Sequence, residues 1–110
     1  MYVDIKEGTV DGETTDDYVS VLTIDVRARR LCTIHLKNTH ASATLTYQVL
    51  GYAMKDGTIS SIEVSPADIT SGNSVQIVIT KKLATVVLQV KSKVSSTPAD
   101  WVVEYIATVV

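Results

Sequence analysis

Phenylalanine is absent from this chain, and cysteine occurs once, at position 32. A lone cysteine excludes an intrachain disulfide. A chain of 110 residues is one domain and must then be held by its own apolar core, with a modest margin. Cys32 alternates with Ile34 and Leu36, which reads as a small buried hydrophobe. A reactive thiolate needs a base and an electropositive, partly exposed setting. His35 falls on the opposite face of the same run, badly placed as that base. No stretch reaches 18 consecutive apolar residues, so no helical membrane span is expected. Residues 1–17 lack the apolar segment of a secretory signal. The expectation is a protein made, or assembled into something larger, in the cytoplasm. Neither Asn38-Thr39-His40 nor Asn73-Ser74-Val75 fits the N-glycosylation pattern.

The motifs of catalysis are missing as well. Asp11, Glu13, Asp16 and Asp17 do not have the spacing of an EF-hand loop. His35, His40 and Cys32 are too few for a structural zinc site. No G-x-S-x-G turn, phosphate-binding glycine loop or distinct carboxylate pair is present. No catalytic, metal or cofactor site is therefore expected, and the chain reads as a non-enzyme.

What is abundant is Val, Ile and Thr, residues stiff at χ1 that suit a pleated surface. The alternation of apolar and polar residues predicts seven strands, at 19–28, 31–37, 44–53, 59–64, 75–80, 83–93 and 101–110. A parity change near Leu22 to Ile24 predicts a bulge. Asp56-Gly57 predicts a hairpin turn with positive φ. Pro66 predicts a strand end at or near a sheet edge. Seven strands without a helical segment fit an antiparallel β-sandwich of immunoglobulin-like architecture, with a jelly roll or closed barrel as the alternative. The predicted core is Cys32, Ile34, Leu36, Leu45, Tyr47, Val49, Val75, Ile77, Ile79, Val86, Leu88, Val90, Val103 and Tyr105.

Two features point outward. The segment Trp101 to Val110 is apolar on both faces, so Val102, Ile106 and Val110 are expected under another element or a neighbouring subunit. The alternative is a central strand covered by residues 1–17 of the same chain. Both ends of the chain are expected to be tied down. Residues 1–17 carry six acids against Lys6, a net of −5, and the remainder carries nine bases against six acids, a net of +3. Residues 1–18 are thus an acidic arm before a sandwich at 19–110. Complementarity matches the arm, through Asp11, Asp16 and Asp17, to a basic surface at Arg27, Arg29 and Arg30 or at Lys81 and Lys82. A net charge of −2 with one Trp and five Tyr argues against nucleic acid as a partner.

The runs Ile34-His35-Leu36-Lys37-Asn38-Thr39 and Leu45-Thr46-Tyr47-Gln48-Val49-Leu50-Gly51-Tyr52, then Gly72-Asn73-Ser74-Val75 and Leu88-Gln89-Val90-Lys91-Ser92, span about 31–94. They resemble a pattern of small immunoglobulin-like structural proteins of tailed phages and viruses. The resemblance implies a non-enzymatic virion protein, such as a head decoration or tail accessory subunit. Its implied partners are a major capsid or other virion protein and further copies of itself. Its implied place is the virion, assembled in the host cytoplasm, with no cofactor, nucleic acid or membrane contact. The competing expectation is a carbohydrate- or receptor-binding, adhesin-like sandwich using His40 and Tyr52.

Overall fold

A computed structural model describes residues 5–28 and 31–109, with the side chain of Ile5 left aside. Eight strands follow one another: β1 (Ile5–Glu13), β2 (Val19–Asp25), β3 (Leu31–Asn38), β4 (Leu45–Tyr52), β5 (Ser60–Ile69), β6 (Ser74–Ile79), β7 (Thr85–Ser92) and β8 (Asp100–Thr108). They form two four-stranded antiparallel sheets, ordered β1-β8-β3-β6 and β2-β7-β4-β5.

The pairings nest. Strand β4 pairs with β5, β3 with β6, β2 with β7 and β1 with β8. The chain is one long hairpin with its tip at 53–59, rolled so that β8 also meets β3 and β4 also meets β7. Only the β4–β5 connection stays within a sheet; the other six cross between sheets. This is the jelly-roll order, and it replaces the expected seven-stranded immunoglobulin-like one. In that fold, neighbouring strands of one sheet are largely consecutive in sequence. Here each strand of the first half finds its partner in the second half.

The extra strand comes from the acidic segment. Residues 5–13 form β1, whose register with β8 runs unbroken from Ile5–Thr108 to Glu13–Asp100. Polar β1 lacks the alternation of a half-buried strand, so its pairing was invisible locally. Its inward positions explain the pairing. Gly8 and Gly12 lie opposite Tyr105 and Trp101, and the two rings pack where glycine side chains would otherwise be.

Twelve of the fourteen expected core residues are buried; Val75 and Tyr105 are half-buried against the core. Strand β2 faces inward with Leu22, Ile24 and Val26, leaving Val19 exposed, because the ladder with β7 shifts between Ser20 and Leu22. The bulge expected there exists, and it reverses the parity of the residues before it. Pro66 does not end β5. It falls between the Val64–Val49 and Ala67–Tyr47 pairs, where the β4 ladder shifts, and β5 is an edge strand. A proline without an N–H is tolerated at such a place. The 53–59 hairpin closes with Gly57 N–H donating to the Met54 carbonyl at 3.1 Å. Positive φ occurs instead at Gly72 and Ser96 among the described residues, so Asp56-Gly57 is not the primed turn expected.

Candidate protein–protein interface

The protein measures 45 × 30 × 17 Å. The strands of both sheets run antiparallel, so the loops gather at two poles, about 30 Å apart along a nine-residue strand. The registers put Asp25, Thr85, Tyr52 and Ser60 of one sheet at the first pole. Ile5, Thr108, Leu31 and Ile79 of the other sheet lie there too. Residues 26–28 and loops 53–59 and 80–84 close this pole. Loops 14–18, 39–44, 70–73 and 93–99 close the other.

The first pole is basic on balance: Arg27, Lys55, Lys81 and Lys82 are exposed there, against exposed Asp56 and half-buried Asp25. Arg27 donates through Nε and Nη2 to Asp25, with Nη2 at 2.7 Å from Oδ2. These hydrogen bonds hold the Asp25 carboxyl well below the usual range. Lys82 Nζ donates to the Arg27 carbonyl oxygen, and Lys81 lies 3.1 Å from Glu63. A shallow depression of about 380 Å³ is lined by Arg27, Lys55 and Lys82 together with Met54, Leu83 and Ala84. Met54 and Ile59 stand out beside these cations, 70% and 86% exposed.

The second pole is acidic and tightly knit. Glu13, Asp16, Asp17 and Asp100 are exposed. Thr14 is buried and ties three segments together. Its N–H donates to the Ala99 carbonyl, its Oγ1 accepts from Ala99 N–H, and its hydroxyl meets Ser92 Oγ at 2.8 Å. Asp16 accepts from Ser96 N–H at 2.7 Å and from the Ser95 hydroxyl, which holds the positive φ of Ser96. Val94 is exposed on the same loop. Fully buried Asn38 donates to the Ala43 and Ile69 carbonyls and accepts from His40 N–H, fixing loops 39–44 and 70–73.

Between the poles lies the outer face of the β1-β8-β3-β6 sheet. Register places Glu7, Ile106, Thr33 and Val78 in one row, Thr9, Glu104, His35 and Gln76 in the next, and Asp11, Val102, Lys37 and Ser74 in a third. An open depression of about 610 Å³ runs across it, lined by Glu7, Thr33, His35, Glu104 and Ile106 among others. No described element covers this face. Val102 is half-buried and Ile106 is 38% exposed.

The sequence-predicted residues are therefore scattered. Asp11, Val102 and Ile106 share the outer sheet face. Asp16 and Asp17 belong to the acidic pole, and Arg27, Lys81 and Lys82 to the basic one. Arg29, Arg30 and Val110 lie outside the described residues. Strand β1 reaches β8 through a backbone ladder, edge to edge. The ion pairs among the described residues are Asp25–Arg27, Glu63–Lys81 and Asp68–Lys93, none from residues 5–17. Sequence reasoning missed Met54, Lys55, Ile59 and Val94, because a hydrophobe in a loop becomes informative only once the fold leaves it bare.

Burial pushes the Cys32 thiol up to about 11, which keeps it protonated and unreactive at neutral pH. Among the described residues no group of three His, Cys, Asp or Glu side chains could hold a metal ion. His40 is committed to its loop, where Nδ1 accepts from Ser42 and Ala43 N–H. His40 precedes β4 and Tyr52 ends it, so about 25 Å of strand separates them.

No known protein family matches the sequence, and no curated protein matches it. Solved structures do match in fold. A subunit of the Bacillus endospore appendages, disulfide-linked pili, superposes with a TM-score of 0.63 at 10% identity, covering 98% of this chain and 89% of that one. The SPBc2 prophage-derived protein YomS gives 0.54 at 16% identity, covering 98% and 96%. The decameric BFDV capsid protein gives 0.57 at 5% identity, covering 97% and 96%. PirA gives 0.69 at 10% identity, covering 88% and 92%. At such identities the likeness is one of fold, and a fold hosts many functions.

Proposed function

We propose that this chain is a non-enzymatic structural subunit of a virion, present in multiple copies and attached by protein–protein contacts. The observation that carries the reading is the uncovered outer face of the β1-β8-β3-β6 sheet. It carries uncovered hydrophobes, Val102 and Ile106 from β8, Val78 from β6 and Leu31 from β3, set among polar and charged side chains, and no described element lies over it. Hydrophobes on either side of a polar middle row of Thr9, Glu104, His35 and Gln76 give the mixed polar and apolar make-up of a non-obligate protein contact. Its fold likeness to a prophage-derived protein and to a capsid protein supports the virion setting. Val102 and Ile106 are the residues assigned to the partner, with Asp11 on the margin. Capsid decoration is the specific role favoured, on the same resemblance that links the 31–94 hairpins to phage structural proteins.

The carbohydrate-binding reading loses its residues, since His40 is locked in a loop and lies a strand length from Tyr52. The test is mass spectrometry of particles banded from cells that carry the gene. The protein is expected in the particle band at a copy number comparable to the capsid subunit, and Ile106→Glu is expected to remove it from the band while it stays soluble. Absence of the wild-type protein from particles, together with binding on a glycan array, would reverse the conclusion.

A further inference from the structure

The acids at 13, 16, 17 and 100 and the bases at 27, 55, 81 and 82 are complementary in sign, yet the fold puts them at opposite ends of the strands. One chain cannot bring its own poles together. Each pole also bares a hydrophobe among its charges: Met54 and Ile59 at the basic end, Val94 at the acidic end. Two charge patterns and two apolar patches thus match only between molecules. We propose that a second copy of this chain docks its acidic pole onto the basic pole of the first, as a head-to-tail contact. The proposal rests on the multi-copy structural reading above and names its self-contact.

The geometry suits this occupant. The acidic pole presents Glu13, Asp17 and Asp100 as a blunt end stiffened by the Thr14–Ser92–Ala99 hydrogen bonds and the Asp16–Ser96 cap. The basic pole offers a shallow recess lined by Met54, Leu83 and Ala84 together with Arg27, Lys55 and Lys82. Val94 is the apolar residue available to enter it. A contact between two different surfaces of one chain is heterologous and propagates into a ring or a filament, depending on the rotation per step. Opposed charges set the polarity, since like poles repel. Exposed charges a Debye length apart are largely screened at physiological salt, so the contact is strongest at low ionic strength.

The test is a charge swap read by sedimentation velocity of the full chain at about 50 mM and 500 mM salt. Wild-type protein is expected to self-associate in a concentration-dependent way at low salt and much less at high salt. Lys55→Glu with Lys82→Glu makes both poles acidic, and Glu13→Lys with Asp17→Lys cancels the acidic pole by setting two lysines against Asp16 and Asp100. Each variant alone is expected to lose association at least tenfold, and an equimolar mixture is expected to recover it. Circular dichroism identical to wild type shows that each variant folds. Wild-type protein that stays monomeric at low salt overturns the proposal, as does association that neither variant changes or a mixture that does not recover. Recruitment of the wild type by a DNA oligonucleotide through the basic pole in place of self-association would also overturn it. None of these outcomes touches the particle-band experiment, so the self-contact and the virion role fail separately.

Discussion

Gly12 and Trp101 face each other across the β1–β8 ladder, and a methyl group on Gly12 would come within 2.8 Å of the indole Cζ2. Gly8 stands in the same relation to Tyr105, but there the approaching atom is the phenol oxygen, also at 2.8 Å. Tyr105 is half-buried and can swing its hydroxyl aside, whereas Trp101 is buried and cannot. Overpacking of that kind costs on the order of 1–3 kcal/mol. Gly12→Ala is therefore expected to lose about 2 kcal/mol and Gly8→Ala under about 1 kcal/mol in urea unfolding; equal losses would contradict the account. Asn38 is the other decisive residue. Its amide satisfies two carbonyls and one N–H with no water in reach of a fully buried side chain. Asn38→Ala strands those groups, and a loss of about 3 kcal/mol is expected in the same assay.

At the scale of elements, β5 is the edge most dependent on side chains. Its ladder to β4 is interrupted at Pro66, and polar groups bridge the gap region. Thr46 Oγ1 donates to Asp68 at 2.7 Å, and Lys93 lies 3.0 Å from the same carboxylate. Ser61 donates to Glu63 at 2.6 Å, with Lys81 alongside. These bonds, the hydroxyl donors first, lower the Asp68 and Glu63 carboxyls below their ordinary values. A carboxylate with a lowered folded-state pKa contributes stability that is present above its unfolded pKa, about 4. That contribution is lost as the pH falls through the lower folded-state value. The melting temperature is expected to be flat from pH 7 to 5 and to drop below about pH 4. Asp68→Asn is expected to shrink that drop, and an unchanged acid limb would count against the bridge. Strand β1 carries the complementary lesson. Removing residues 1–13 bares the β8 edge and breaks up to the Thr14 latch. Aggregation by light scattering is expected, since an open central strand templates pairing.

Across the whole molecule, the nested hairpin makes most pairings distant in sequence, with β1 and β8 the extreme case. Loop closure must precede each such contact, and folds of this kind refold in milliseconds to seconds. Stopped-flow refolding followed by Trp101 fluorescence is expected in that window, because Trp101 is part of the core between the sheets and packs against Gly12 of β1. Complete recovery in microseconds would contradict the order of events. The same roll separates the poles, and so converts an uneven charge sequence into a molecule with a basic end and an acidic end.

The β character, most strand positions and twelve core residues were legible in the sequence, because alternation of aliphatic and polar residues is local and each strand carries its own. The bulge in β2 was legible as a parity break. The charge imbalance of residues 1–17 was also plain. Other features were decided only in three dimensions. β1 is polar and earns its place through glycines opposite Trp101 and Tyr105, a relation between residues some ninety positions apart. The sheet order depends on which edges meet when the hairpin rolls, and no single strand encodes that. Seven strands from 19 onward fit an immunoglobulin-like order as readily as a jelly roll until β1 closes the first sheet. The functional surface followed the same rule. Val102 and Ile106 could be suspected from two apolar faces on one strand. Met54, Ile59 and Val94 gained meaning only when folding left them bare beside charges at opposite poles, since exposure is a property of the packed molecule and not of the chain.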